Sequence, residues 1–185
     1  MARPPRAREA ILDAYESILI DEGERTATLD AVARLADVSK GGLLYHFASK
    51  DALVHGAIER LDQLVDDDVA AIEAAGDDAV EYYIRTSVAL QSPLDRAFVA
   101  TARLAQGGDV AAQEALQRCR DRWREAIARS VADPGAVLAI ALLGDGMYFN
   151  TSLHVQGEHG GVTLSPAEVD SLVRIARGIA ATGNA

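Results

Sequence analysis

The sequence predicts an all-α protein of about nine helices, arranged as an N-terminal three-helix unit followed by a larger helical body. Three observations carry that prediction. No stretch alternates apolar and polar residues over the length of a strand, whereas apolar residues recur at helical spacing along the 185-residue chain. Alanine, the strongest helix former, is abundant. Capping residues, prolines and glycines return at intervals that suit the ends of helices.

Taken in order, Ile11, Tyr15, Ile18 and Leu19 line one face of a first helix that stops near Gly23. Thr28 is placed to cap a second helix carrying Leu29, Val32, Ala33 and Ala36. Asp37-Val38 leaves room only for a tight turn. Ser39 then caps a short third helix, and Ser49 a fourth that runs from about residue 50 to 75 and joins the N-terminal unit to the body. Gly76 ends it, and Asp77 and Asp78 suit the positive N-terminal end of the next helix. Ser92-Pro93 opens another helix, broken at Gly107-Gly108. Asp133-Pro134 and Ser165-Pro166 repeat the cap-then-proline signal before the last two, over 136–156 and 166–181, with the polar loop "GEHGG" between them.

Composition narrows the class. The chain is 49% hydrophobic and 25% charged, ordinary for a globular protein. Its single cysteine, Cys119, excludes an intrachain disulfide and a cysteine-cluster metal site and fits a reducing compartment. The N-terminus lacks the uninterrupted apolar core of a signal peptide, and no run reaches the ~18 apolar residues of a membrane span. A cytoplasmic location without membrane contact is expected. The net charge of −10 argues against nucleic acid until its distribution is read: residues 1–60 carry net −2 and residues 61–185 net −8. Both lysines, Lys40 and Lys50, and Arg3, Arg6 and Arg8 lie in the first fifty residues. Such a basic edge can act locally, since screening cuts off charges beyond ~8–10 Å.

Residues 28–47 have the dimensions of a helix-turn-helix. Val32 and Ala33 face inward, Val38 plugs the turn, and Leu43 and Phe47 give the second helix its buried face. Lys40, Gly41, Gly42, Leu44, Tyr45 and His46 are left outward. In such motifs the N-terminal part of the second helix enters the major groove. Glycines there lack the Cβ that would hold the backbone away from DNA. Tyr45, His46 and Lys50 can reach backbone oxygens, and Lys40 a phosphate or a guanine edge. Thr28 and Ser39, at helix N-termini that attract phosphate, complete the candidate DNA-binding set.

The segment "TLDAVARLADVSKGGLLYHFASKDAL" resembles the DNA-binding segment of the TetR family of bacterial one-component regulators, over residues 8 to 60. The matching positions are Thr28, Val32, Ala33, Val38, Ser39, Lys40, Gly41, Leu43, Tyr45, Phe47, Ser49, Lys50 and Leu53. Three positions depart from the family pattern. Asp37 replaces the usual turn glycine, though aspartate tolerates left-handed backbone. Leu44 stands where many members carry a phosphate-contacting tyrosine, a role part of which Tyr45 can take while Leu44 touches a thymine methyl. Ala48 replaces a common proline.

The resemblance implies a DNA-binding domain over 1–48 and an effector-binding and dimerisation domain over 49–185. It also implies a homodimer through helices 136–156 and 166–181, a palindromic double-stranded operator, and release by a small-molecule effector, so that the chain acts as a repressor. Gly144 and Gly146 would permit close helix approach at the dimer seam. Tyr83, Phe98, Trp123, Met147 and Phe149 are the candidate effector-lining residues, with ordinary core as the alternative for each. Asp145 is either a capped or paired interface residue or a polar anchor for the ligand. Asp66-Asp67-Asp68 reads as a solvated face, and the arginines of "RCRDRWRE" spread around their helix instead of forming a second DNA patch. His154, Glu158 and His159 are read as solvated, so no metal and no cofactor are expected. An enzyme is not expected either: "SKGG" follows no strand and is no phosphate loop, and Cys119 has no arranged histidine.

Overall fold

The computed structural model describes residues 4–88, 92–155 and 164–183. Among them are nine α-helices and no strand. These are α1 (Pro4–Asp21), α2 (Leu29–Leu35), α3 (Lys40–His46), α4 (Lys50–Ala74), α5 (Ala79–Thr86), α6 (Pro93–Gln106), α7 (Val110–Ala128), α8 (Pro134–Val155) and α9 (Pro166–Gly183). The all-α class expected from the sequence is what the chain adopts. One detail differs: Asp77 and Asp78 do not open α5 directly but lie in a 3-10 turn, Gly76–Asp78, entered through Gly76 at φ +54°. Asp78 pairs with Arg177 instead of capping a helix.

The helix starts follow from side chains that accept otherwise orphaned backbone N–H groups. Thr28 Oγ1 accepts from Ala31 N (3.2 Å), Ser39 Oγ from Gly42 N (3.0 Å) and Ser49 Oγ from Ala52 N (3.1 Å). Asp109 and Asp133 cap α7 and α8 through the N–H groups of Ala112 and Ala136. At α9, Ser165 and Glu168 form a reciprocal capping box, with Ser165 N donating to Glu168 Oε2 at 2.8 Å. Its hydrogen bonds from Ser165 hold the Glu168 carboxyl below the ordinary range.

Two compact units divide the chain. One comprises residues 1–65 and 93–118, the other 66–92 and 119–185. In the first, Ile11, Leu12, Tyr15 and Leu19 of α1 pack with Val32, Leu43, Leu53 and Leu104 in one buried cluster. This unit therefore includes α4 up to Val65, α6 and the start of α7 besides the three N-terminal helices.

In the second unit, Ile72, Ile84, Ile127, Ile140, Val173 and Ala176 form the centre of a separate core. Here α5 and α8 approach closely: a Cβ on Gly144 would stand 2.5 Å from the ring of Tyr83. Gly144 is thus used inside the chain, which corrects its assignment to a dimer seam, whereas the space beside Gly146 is open. The acidic run also needs correction. Asp68 is not solvated like its neighbours; it accepts from Trp123 Nε1 (2.9 Å) and Tyr82 Oη (3.4 Å), and burial pushes its carboxyl up. No helix among the described residues is long and apolar enough to cross a membrane.

Candidate nucleic-acid interface

The turn between α2 and α3 closes by backbone geometry. Val38 N donates to Ala33 O (3.0 Å) and Asp37 N to Arg34 O (3.3 Å), the paired bonds of a Schellman ending. That ending needs a left-handed residue, and Asp37 supplies it at φ +52°, the one non-glycine residue with positive φ among those described. From this fixed turn α3 leaves with Leu43 and Phe47 buried against α1 and α4. Phe47 is seated by a glycine that sequence reasoning passed over. A Cβ on Gly56 would lie 2.4 Å from the Phe47 ring, so only glycine lets α4 come this near. The guanidinium of Arg8 covers the same ring at 5.4 Å.

Anchoring one face of α3 fixes what the other presents. Lys40, Gly41, Leu44 and Tyr45 are exposed, with Gly42 and His46 partly so. Tyr45 is 83% exposed, and its ring meets His46 edge-on with 5.2 Å between centroids. The two glycines differ. A Cβ on Gly42 would sit 3.2 Å from Ser39 Oγ, inside the cap, whereas one on Gly41 would meet nothing within 4 Å. Packing inside the chain therefore gives no reason for glycine at position 41, in a helix where it costs about 1 kcal/mol against alanine.

The lysines are engaged. Lys40 Nζ lies 2.9 Å from Asp30 Oδ1, and Lys50 Nζ lies 3.2 Å from Glu24 Oε1 and 3.4 Å from the Glu24 carbonyl. Exposed pairs of this kind are worth about 0–1 kcal/mol, so a phosphate can compete for either lysine. Asp30 and Glu24 as their holders were not foreseen, because neither is near its lysine in sequence. Thr28 and Ser39 spend their side-chain oxygens on the caps.

The five residues considered for an effector are divided between the two units. Phe98 belongs to the first unit and the other four to the second. Tyr83 is buried, donates its hydroxyl to Ala141 O (3.3 Å), and burial pushes that hydroxyl's pKa up. Met147 is buried in the same core, Trp123 is tied to Asp68, and Phe149 is exposed. An open cleft of about 750 Å³ in this unit is lined instead by Ile72, Val80, Arg129 and Arg177, among others, and by none of the five. Asp145 is half-buried, and burial raises its carboxyl against the opposing pull of Arg120. His154's side chain, Glu158 and His159 lie outside what the structure describes, as does the "GEHGG" loop.

Residues 11–57, which span α1 to the first turns of α4, match the model of bacterial regulatory proteins of the tetR family. The N-terminal module is thus similar to the tetR-family DNA-binding module. Among curated proteins, this chain is 36% identical over 58 residues to the A-factor receptor protein of Streptomyces griseus, covering 31% of the chain and 21% of the relative. It is 38% identical over 72 residues to the HTH-type transcriptional regulator BetI of Rhizobium meliloti (strain 1021), covering 38% of the chain and 36% of that relative. The matched segment thus spans about a fifth and about a third of the two curated relatives. Across the whole fold, the crystal structure of the multidrug binding protein EbrR complexed with malachite green superposes with a TM-score of 0.68 at 22% identity, covering 96% of this chain and 99% of that one.

Proposed function

We propose that this chain is a ligand-responsive transcriptional repressor that binds a palindromic DNA operator as a homodimer and is released by a small-molecule effector. Residues 1–48 are the DNA-binding part and 49–185 the effector-binding and dimerisation part, acting in the cytoplasm without enzymatic chemistry. The observation that carries the reading is Gly41: an exposed glycine in a capped helix that nothing in the fold requires, beside the exposed Tyr45. Open backbone at the N-terminal end of such a helix suits close approach to a groove floor. Tyr45, His46 and Lys50 then contact phosphate oxygens, Lys40 a phosphate or a guanine edge, and Leu44 a thymine methyl.

The dimer is supported by α8 and α9. Leu138 and Leu142 lie one turn apart on α8 and are exposed, as is Ile175 on α9, although α8 is apolar nearly all round. Pairing through 136–156 and 166–181 would cover them, with Asp145 either on that seam or as a polar anchor for ligand. The TetR-family relative named as an A-factor receptor and the fold neighbour holding malachite green give the precedent for a small effector. Tyr83, Phe98, Trp123, Met147 and Phe149 remain the residues to test for it. Effector binding would act by favouring a dimer whose two recognition helices no longer fit successive major grooves.

The test is binding of the purified protein to fragmented genomic DNA, read by sequencing the retained fraction. A recurring two-fold symmetric motif is expected. Retention that is negligible, or that follows fragment length alone, would remove the reading.

A further inference from the structure

Tyrosines aside, the polar side chains fully buried among the described residues are Thr101 and Glu16. Thr101 is satisfied, donating to Ala97 O at 2.8 Å. Glu16 is not. It is 1% exposed, and its Oε1 has no aligned hydrogen-bond partner. It sits on α1 where three helices of the first unit meet. From α4, Arg60 Nη1 lies 3.5 Å from Glu16 Oε1 and 2.6 Å from Asp13 Oδ1, while Arg60 Nε lies 3.8 Å from Glu9 Oε2. Arg60 Nη1 is itself buried and lies closer to Asp13 than to Glu16, so Glu16 is held by charge alone. From α6, Arg96 donates to Ser17 Oγ at 2.8 Å and adds a second positive charge acting on Glu16. The charges that act on Glu16 are thus Arg60 on α4, Asp13 and Glu9 on α1, and Arg96 on α6.

We infer that Glu16 and Arg60 are positioning residues that set α4 against α1, and that the proton on Glu16 tunes how well the helix-turn-helix holds its DNA-binding geometry. Arg60 is shared among three carboxylates. Asp13 and Glu9 hold it from the exposed side, and Glu16 is the deep one. Ionised, it draws the guanidinium inward and fixes α4 to α1, whose Leu12, Tyr15 and Leu19 share a core with Val32 and Leu43 of the helix-turn-helix. Protonated, it releases that inner contact and leaves Arg60 to its outer partners. Burial is the main force on Glu16, raising its carboxyl to about 7 against the counter-pull of Arg60, so the exchange falls within a range a cell can visit. Neither residue touches DNA in this account; they act through the placing of α3.

The inference rests on the DNA-binding reading, and the experiment separates the two. A duplex recovered by selection from a random-sequence pool on the wild-type protein at about pH 8 is titrated with wild type, Glu16→Gln and Asp13→Asn across about pH 6 to 8. Gln keeps the shape of Glu16 and removes its proton exchange. Lower pH favours DNA binding generally, through a less negative protein, and this trend is common to all three proteins. The ratio of Glu16→Gln to wild-type Kd is therefore the quantity read. It is expected to rise about fivefold from the acid to the alkaline end, while the Asp13→Asn ratio stays flat. A flat Glu16→Gln ratio with intact DNA binding overturns the inference and leaves the DNA-binding reading standing. No DNA retained by the wild type at any pH overturns both. Should Glu16→Gln fold poorly, Glu16→Asp, which keeps the charge, is expected to restore the wild-type pH profile; a profile as flat as its absence would also refute the proposal.

Discussion

Replacing Gly41 with alanine should make the protein more stable and a worse DNA binder at once. On the folded side, the added methyl meets no atom within 4 Å, so no clash offsets the gain in helix propensity. That gain is about 1 kcal/mol, or a rise in Tm of about 2–4 °C for a chain of this size. On the DNA side, the methyl projects from the outward face of α3 beside Tyr45, where the backbone must come close. Forcing extra volume into a fitted contact costs about 1–3 kcal/mol, or roughly 5- to 150-fold in affinity for each half-site. Thermal melting and fluorescence anisotropy with the selected duplex read the two effects separately. Gly42→Ala is the internal control: its methyl meets Ser39 Oγ at 3.2 Å, so the cap must give and the stability gain should shrink or reverse. If Gly41→Ala melts higher yet binds DNA as tightly as the wild type, the reason given for that glycine is wrong.

Three further substitutions probe the turn, the phosphate contact and the seam, and a fourth follows the pH dependence of stability. Asp37→Gly relieves left-handed backbone at φ +52° and should stabilise by about 1 kcal/mol in chemical denaturation, with no change expected in the helix content. Lys50→Ala should lower the slope of log K against log salt by about 1 per half-site and weaken binding to every sequence alike; an unchanged slope would show that Lys50 stays with Glu24. Leu142→Asp places a charge on the exposed face of α8. Two such losses in a two-fold dimer remove about 3 kcal/mol or more, enough to give monomers in sedimentation at micromolar concentration with circular dichroism unchanged. Glu16, raised on folding from 4.5 to about 7, binds its proton more tightly in the native state. Its contribution to stability is therefore complete below about pH 4.5 and lost as pH rises to about 7, by about 3 kcal/mol in all, because the pull on Arg60 that positions α4 offsets only part of the cost of burying the charge; Glu16→Gln should lack that slope in denaturation measured across the same range.

The parts of this protein legible in its sequence are those set by short-range chemistry. Thr28, Ser39, Ser49, Asp133 and Ser165 each announce a helix start because the capping oxygen and the N–H it serves are three residues apart. Asp37 was readable as a left-handed turn residue for the same reason. What escaped depends on contacts between distant segments. Lys40 and Lys50 look like free cations until Asp30 and Glu24 arrive beside them from ten and 26 residues away. Asp68 looks solvated until α7 brings Trp123 to it, and Gly144 looks like a seam residue until Tyr83 fills the space above it. Gly56 gives no local signal at all, since its reason is the Phe47 ring. The effector residues were the least legible: a large apolar side chain in a helix has the same pattern whether it closes a core or lines a cavity.

The account's central claim is that the open face of α3 reads DNA. The most direct measurement is sequencing of genomic DNA retained by the wild type beside that retained by Gly41→Ala and Tyr45→Ala, at one salt concentration. The account predicts a two-fold symmetric motif with half-sites about 34–36 Å apart for the wild type, and loss of that motif's enrichment in both variants. Equal enrichment of the same motif by all three proteins would contradict it.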